Sequence, residues 1–149
     1  MSNVLPDLLA AELSQVQLLL PILQQEQQAL IQRQFDLVTK LIEAKLRALQ
    51  ALEQATAARS AYCQQQGWLS SDAIEAHLGE ALPLWQELLL QARQADMLNR
   101  SNGQLIQSHE EVNRHLMASL AAARNPDIGY SADGRLSNQG AASRPLDRA

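Results

Sequence analysis

Residues 30–66 read LIQRQFDLVTKLIEAKLRALQALEQATAARSAYCQQQ, and the fold turns on how this stretch is read. On a helical wheel at about 100° per residue, Leu30, Ile31, Phe35, Val38, Leu41, Ile42, Leu46, Leu49 and Leu52 share one half. Gln32, Asp36, Thr39, Lys40, Glu43, Arg47, Gln50 and Gln54 fill the other, and only Gln34 and Lys45 intrude on the apolar side. Such a stripe is broader than the two-position seam of a simple coiled coil, so it predicts a central helix touching at least two neighbours. Asp36 with Lys40 and Glu43 with Arg47 are acid-before-base pairs one turn apart that support the helix on its wet side. Its end is marked by Gly67, placed to take a left-handed conformation just past the last turn, with Trp68 folding back on Tyr62 or Cys63.

Working outward, Ser2 or Asn3 can cap a preceding helix, and Pro6 sits in its first turn where a missing N–H does no harm. Leu8, Leu9, Leu13, Val16, Leu20, Leu23 and Leu30 keep a helical period. Pro21 lies inside that pattern and predicts a kink rather than an end. One uninterrupted helix through Phe35 would be roughly 90 Å long with no partner of equal length. A tight hairpin at Gln32–Asp36, with Asp36 as N-cap, is therefore expected. Ser70-Ser71-Asp72 opens a short helix reaching Leu78. A long helix then runs from Pro83 to Arg124 along Leu84, Trp85, Leu88, Ala92, Ala95, Leu98, Leu105, Ile106, Val112, Leu116, Met117 and Leu120. Gly103 sits within it at a cost of about 1 kcal/mol relative to Ala. Asn125-Pro126 ends it. The expected fold is all-α, an antiparallel up-down-up bundle over 1–125, with a flexible tail over 126–149 rich in Gly, Ser, Asp, Asn and Arg.

At 149 residues the chain is one domain of ordinary size, and 3% aromatics mean an aliphatic core. A net charge of −4 and the shortage of aromatic stacking platforms argue against nucleic acid. One cysteine, Cys63, leaves no disulfide framework or thiolate cluster and is read as a small buried hydrophobe. The start, Met1 to Asp7, lacks a basic n-region, so no signal peptide is expected. The longest apolar run, Leu18 to Leu23, is too short for a bilayer and contains Pro21, so no stable membrane insertion is expected. A cytoplasmic protein follows as the default.

Chemistry is hard to find. His109-Glu110-Glu111-Val112-Asn113 begins like a zinc-protease helix, but position 113 is Asn, and His115 points to a different side. There is no phosphate-cradling loop and no nucleophile elbow. The expectation is no enzyme, no metal and no cofactor. One anomaly stands out. Asn102, His109 and Asn113 share an arc with Leu98, Leu105, Leu116 and Leu120. They are either buried register-setters or part of a stripe that stays wet until a partner arrives.

The segment Trp85-Gln86-Glu87-Leu88, followed by Asn99-Arg100-Ser101-Asn102-Gly103-Gln104-Leu105-Ile106, resembles the FlgN family of flagellar export chaperones. Those proteins carry Trp-x-x-Leu and Asn-x-x-Asn-Gly-x-Leu-Ile on a long helix. Leu37 to Arg59, with Lys45 and Arg59, resembles the family's second helix. Tyr130 with Gly134-Arg135 resembles a Tyr-Gly-x-x-Gly element, although Ser131 stands where that element has Gly. The resemblance implies a cytosolic, non-enzymatic chaperone. Its cargo is the hook–filament junction (hook-associated) proteins, held by an amphipathic C-terminal helix and delivered to the flagellar export gate. Helix-in-groove recognition suits that task. The family places cargo binding toward the C-terminal part of the chain, which points here to Asn99, Asn102, Leu105, Ile106, Val112, Leu116, Met117, Leu120 and Tyr130. The competing class is a non-catalytic oligomeric coiled-coil scaffold or spacer, and monomer against homodimer stays open. Length sharpens the site. The first two helices run to roughly 40–46 Å and the third to roughly 60 Å, so about 15–20 Å of the third, carrying Val112, Leu116, Met117 and Leu120, is expected to lack an intramolecular partner.

Overall fold

A computed structural model describes residues 4–121, 129–130 and 136–137. Three long helices, α1 (Val4–Ile31), α2 (Phe35–Gln66) and α4 (Leu82–Ser108), are joined by a hairpin turn and by a loop. That loop holds α3 (Ser71–Glu75) and a single 3-10 turn at Gly79–Ala81. A fifth helix, α5 (Glu110–Leu120), follows. Two two-residue strands, β1 (Gly129–Tyr130) and β2 (Leu136–Ser137), pair antiparallel with Tyr130 opposite Leu136. β1 lies beside α4 and β2 beside α2. The rest of 126–149, the Asn125-Pro126 boundary and the Ser2/Asn3 cap lie outside the described residues. No helix among the described residues is long and apolar enough to cross a membrane.

The core follows a stricter rule than the wide stripe suggests. On α1, Leu5, Leu9, Glu12, Val16, Leu19, Leu23, Glu26 and Leu30 alternate four and three residues apart, and all are buried. On α2 the same alternation runs through Val38, Ile42, Lys45, Leu49, Leu52, Thr56, Arg59 and Cys63. On α4 it runs through Trp85, Leu88, Ala92, Ala95, Asn99 and Asn102. These are heptad seams, the pattern of helices that pack knobs into holes. The backbone lying close alongside both α2 and α4 is that of α1, so α1 holds the central position predicted for α2. The side chains of α2 reach α4, as where the Arg59 guanidinium lies 5.3 Å from the centre of the Trp85 ring.

Two buried acids set the register. Glu12 meets Thr56 and Arg59, while Glu26 meets Lys45, so α1 and α2 run in opposite directions. Glu12 and Glu26 are fourteen residues apart, as are Lys45 and Arg59, so both pairs close in one alignment of the two helices.

The hairpin closes where the chain's length requires it, by a different cap. The Arg33 N–H donates to the Leu30 carbonyl (3.2 Å) and the Gln34 N–H to the Ala29 carbonyl (2.8 Å), with Arg33 at φ 59°. That is a Schellman ending with arginine in the left-handed position usually given to glycine. Gln34 precedes the first turn of α2 and makes no side-chain capping bond. Asp36, expected as the N-cap, is already inside the helix and its side chain is 95% exposed. What it offers there is a negative charge near the positive end of the helix dipole. The far end of α2 follows expectation. Gly67 sits at φ 83°, its N–H donates to Gln64 and that of Trp68 to Cys63, and Tyr62 meets Trp68 edge to face at 6.0 Å. Ser70 Oγ caps α3 by accepting from the Ala73 N–H at 3.1 Å. That helix ends at Glu75, short of the expected Leu78, and Trp68 stacks on His77 with ring centres 4.4 Å apart. Pro21 does not end α1, which runs on to Ile31. It faces solvent on α1, and the carbonyl it deprives of a partner belongs to exposed Gln17.

The largest departure is at His109. The helix expected from Pro83 to Arg124 breaks there, where the backbone turns to φ −105°, ψ 97°. No Gly or Pro marks the place. Asn102 lies level with Leu23 and Glu26 of α1, so seven residues on His109 comes level with the hairpin turn that follows Ile31. A straight helix would carry Val112 and Leu116 past the turn into water. The break re-phases the chain so that Val112 and Leu116 face inward and Asn113 faces water.

Candidate partner-binding site

The bundle interior is divided by charge. One polar layer joins Glu12 to Arg59, which donates from Nε to Oε1 at 2.9 Å and from Nη2 to Oε2 at 3.0 Å, while Thr56 Oγ1 donates to Oε2 at 2.8 Å. The second layer joins all three long helices. Lys45 Nζ donates to both oxygens of Glu26 at 3.2 Å and to Asn99 Oδ1 at 3.0 Å. Asn102 Nδ2 donates to the Leu23 carbonyl and to Glu26 Oε1, both at 2.9 Å. Asn102 Oδ1 finds no donor among the described residues. Charges buried this deeply need partners, and the bidentate arginine and bridging lysine supply them.

Above the second layer the character changes. Ala29 and Leu30 from α1, Val38, Leu41 and Ile42 from α2, and Val112 and Leu116 from α5 form an apolar cluster of their own. Phe35, Leu46, Leu105, Ile106 and Leu120 pack around it. A second, larger cluster lies on the other side of the polar layer and runs from Leu23 and Leu49 down to Trp85 and Leu78. The hairpin tip is therefore a separate apolar module that α5 covers. At its rim the rings of Phe35 and His109 are 6.1 Å apart, and His115 Nε2 lies 3.8 Å from Asp36 Oδ1. The nearby depression lined by Pro21, Gln24, Gln25, Gln28, Ala29, Gln34 and Leu37, about 390 Å³, is open to solvent and mostly glutamine-walled.

The residues marked from sequence fall into three groups. Asn99 and Asn102 belong to the polar layer, with Asn102 wholly buried, so of the two readings of that polar arc Asn102 follows the register-setting one. Leu105, Ile106, Val112, Leu116 and Leu120 converge on the tip cluster, with Met117 beside them 65% exposed. Tyr130 lies in the two-residue ladder, whose strand β1 runs beside α4. The expectation that Val112 and Leu116 lack an intramolecular partner is overturned. They are 0% and 4% exposed, because the break at His109 folds the surplus length back onto the tip.

Sequence reasoning passed over Glu12 and Glu26. Their signal was present in the equal spacing of two acids on α1 and two bases on α2, each at a seam position. Cys63 is buried as expected. Burial pushes its thiol pKa up, Arg59 pulls it the other way, and Glu12 adds to the rise.

A profile described as FlgN protein matches residues 1–138. No curated protein and no solved structure matches the chain. The profile describes a family of chaperones rather than of enzymes, associated with binding flagellar hook-associated proteins. With nearly the whole length matched, and with Arg59 in one interior polar layer and Lys45, Asn99 and Asn102 in the other, this chain belongs to the FlgN family of flagellar export chaperones.

Proposed function

We propose that this chain binds the C-terminal amphipathic helix of hook-associated junction proteins in the cytoplasm and carries them to the flagellar export gate. The supporting observation is the apolar module at the hairpin tip. It is separated from the larger core by the Glu26–Lys45 layer, and five residues singled out by resemblance, Leu105, Ile106, Val112, Leu116 and Leu120, converge on it. In this reading the long helices act as an up-down-up scaffold over 1–125. Asn99 and Asn102 hold α4 in register, Met117 forms an exposed lip, and Tyr130 adds a contact from the segment after 125. An amphipathic cargo helix would lay its apolar side into such a groove. The test is calorimetric titration of the full chain with a synthetic C-terminal peptide of a hook-associated protein from the same genome. Saturable one-to-one binding supports the reading, and absence of heat at micromolar chain refutes it.

A homodimer is favoured by one observation. Leu90 and Met97, seven residues apart on the outer face of α4, are 49% and 69% exposed. An outward apolar stripe of this kind suits a second copy. Light scattering during size exclusion decides it, since a monomeric mass at tens of micromolar removes the dimer.

A further inference from the structure

We propose that the tip groove formed by Ala29, Leu30, Val38, Leu41 and Ile42 is itself the helix-receiving surface, that α5 is its resident in the free chain, and that a cargo helix enters by displacing α5 about a hinge at His109. The inference rests on the cargo reading above and changes it in one respect: Val112, Leu116 and Leu120 belong to the groove's occupant in the free chain and not to the surface that holds cargo.

The first support is the resident itself. α5 is an amphipathic helix that presents Val112, Leu116 and Leu120, spaced i, i+4 and i+8, to the groove and turns Asn113, Arg114 and Met117 to water. The groove is thus seen holding the kind of ligand a cargo helix would be. It is chemically suited to apolar side chains at that spacing, without a charged group among its buried walls.

The second support is how weakly α5 is held by its own sequence. At eleven residues it is shorter than an isolated helix needs in water. No side chain caps its N-terminus. Its helical state therefore depends on the burial of Val112 and Leu116, and it will loosen when another helix takes their place.

The third support is that both positions of α5 are cheap in backbone terms. The hinge is one residue wide: the His109 N–H still donates to Leu105 and Ile106, and its carbonyl still accepts from the Asn113 N–H at 3.0 Å. No Gly or Pro stands between Gln104 and Ala121, so the backbone of α4 and α5 can join into one helix once another helix takes over the burial of the tip. Bent, the chain buries Val112 in the tip; straight, it withdraws Val112 and leaves the groove open. Below the hinge, the Glu26–Lys45–Asn99–Asn102 layer ties α1, α2 and α4 together, so the larger core is undisturbed in either state.

Two measurements on the full chain test this, with the same synthetic C-terminal hook-associated peptide as probe. In hydrogen exchange, adding the peptide is expected to slow the amides of 29–42 and to speed those of 110–120. In calorimetry, the double variant Val112→Ser, Leu116→Ser, which unlocks α5 and leaves the groove intact, is expected to bind about tenfold tighter, as when a site open in about a tenth of molecules becomes fully open. Slower exchange over 110–120 on binding would overturn the proposal, because α5 would then be part of the surface that holds cargo. So would a double variant that binds with parental or weaker affinity. A double variant that dimerises without gaining affinity assigns the groove to a second copy and overturns it as well. If the parent and the double variant both bind no peptide, the cargo reading itself has failed; a parent that binds while the double variant gains nothing leaves that reading standing and removes only the resident α5.

Discussion

Replacing Lys45 by Met takes the ammonium away from both oxygens of Glu26, a side chain that is wholly buried. Two unit charges about 4 Å apart attract by about 4 kcal/mol at the effective dielectric typical of proteins. Removing one member of a buried pair costs about 3–5 kcal/mol, because the other stays behind uncompensated. The Lys45 side chain keeps 12% exposure and Asn102 Nδ2 still reaches Glu26, which moves the expectation to the lower end, about 3 kcal/mol. Asn99 Oδ1 also loses a donor. The double variant Glu26→Leu, Lys45→Met removes both charges and should return to within about 1 kcal/mol of the parent, since apolar replacement of a whole buried pair is close to neutral. Urea unfolding at neutral pH followed by far-ultraviolet circular dichroism gives all three free energies. A single variant within about 1 kcal/mol of the parent, or a double variant worse than the single, would refute the view that this layer is a tightly coupled buried pair.

Four further outcomes are expected. Gly67→Val should cost more than 1 kcal/mol in a thermal melt although the added side chain meets nothing, because φ 83° is strained for a β-branched residue. Asp36→Ala should cost only about 0.3–0.5 kcal/mol, the size of an exposed charge on a helix dipole, and added salt should shrink that difference. Gly103→Ala should raise the melting temperature, gaining about 0.5–1 kcal/mol, since Gly103 is inside α4 and a Cβ there has open space. Cys63 should react with a maleimide only after denaturant is added. Its raised thiol pKa means that the folded state holds its proton longer than the unfolded one, so stability should fall as pH rises above the ordinary thiol range.

The helices, the hairpin, the glycine cap at Gly67 and the serine cap at Ser70 were legible because each rests on a local rule: periodicity, a left-handed residue, a hydroxyl before a first turn. The two interior acids were not. A polar residue on an apolar stripe reads as an interruption until its partner on another helix is placed opposite, and that requires the pairing of α1 with α2. The break at His109 was hidden for a related reason. No breaker residue marks it, and what it gains is the burial of Val112 and Leu116 on the hairpin tip, which appears only once α4 is placed beside α1. Of the nominated site, the convergence of Leu105, Ile106, Val112, Leu116 and Leu120 was legible as one stripe. That α5 folds back over the tip was not, because helix length alone predicts an overhang.

The matched fourteen-residue spacing makes the α1–α2 pair intolerant of sliding. Shifted by one heptad, Leu23 would still face Leu41 and Leu30 would still fall beside Phe35, so the packing at those levels would scarcely notice. The charges would notice at once. Glu12 would face Leu52, Glu26 would face Val38, Arg59 would face Leu5 and Lys45 would face Leu19, leaving four ionised groups stranded in oil. Two acids and two bases thus act as a lock-step vernier on an otherwise repetitive leucine ladder. Sliding α1 along α2 would have to break both charged layers at once, which a ladder of leucines alone would not require.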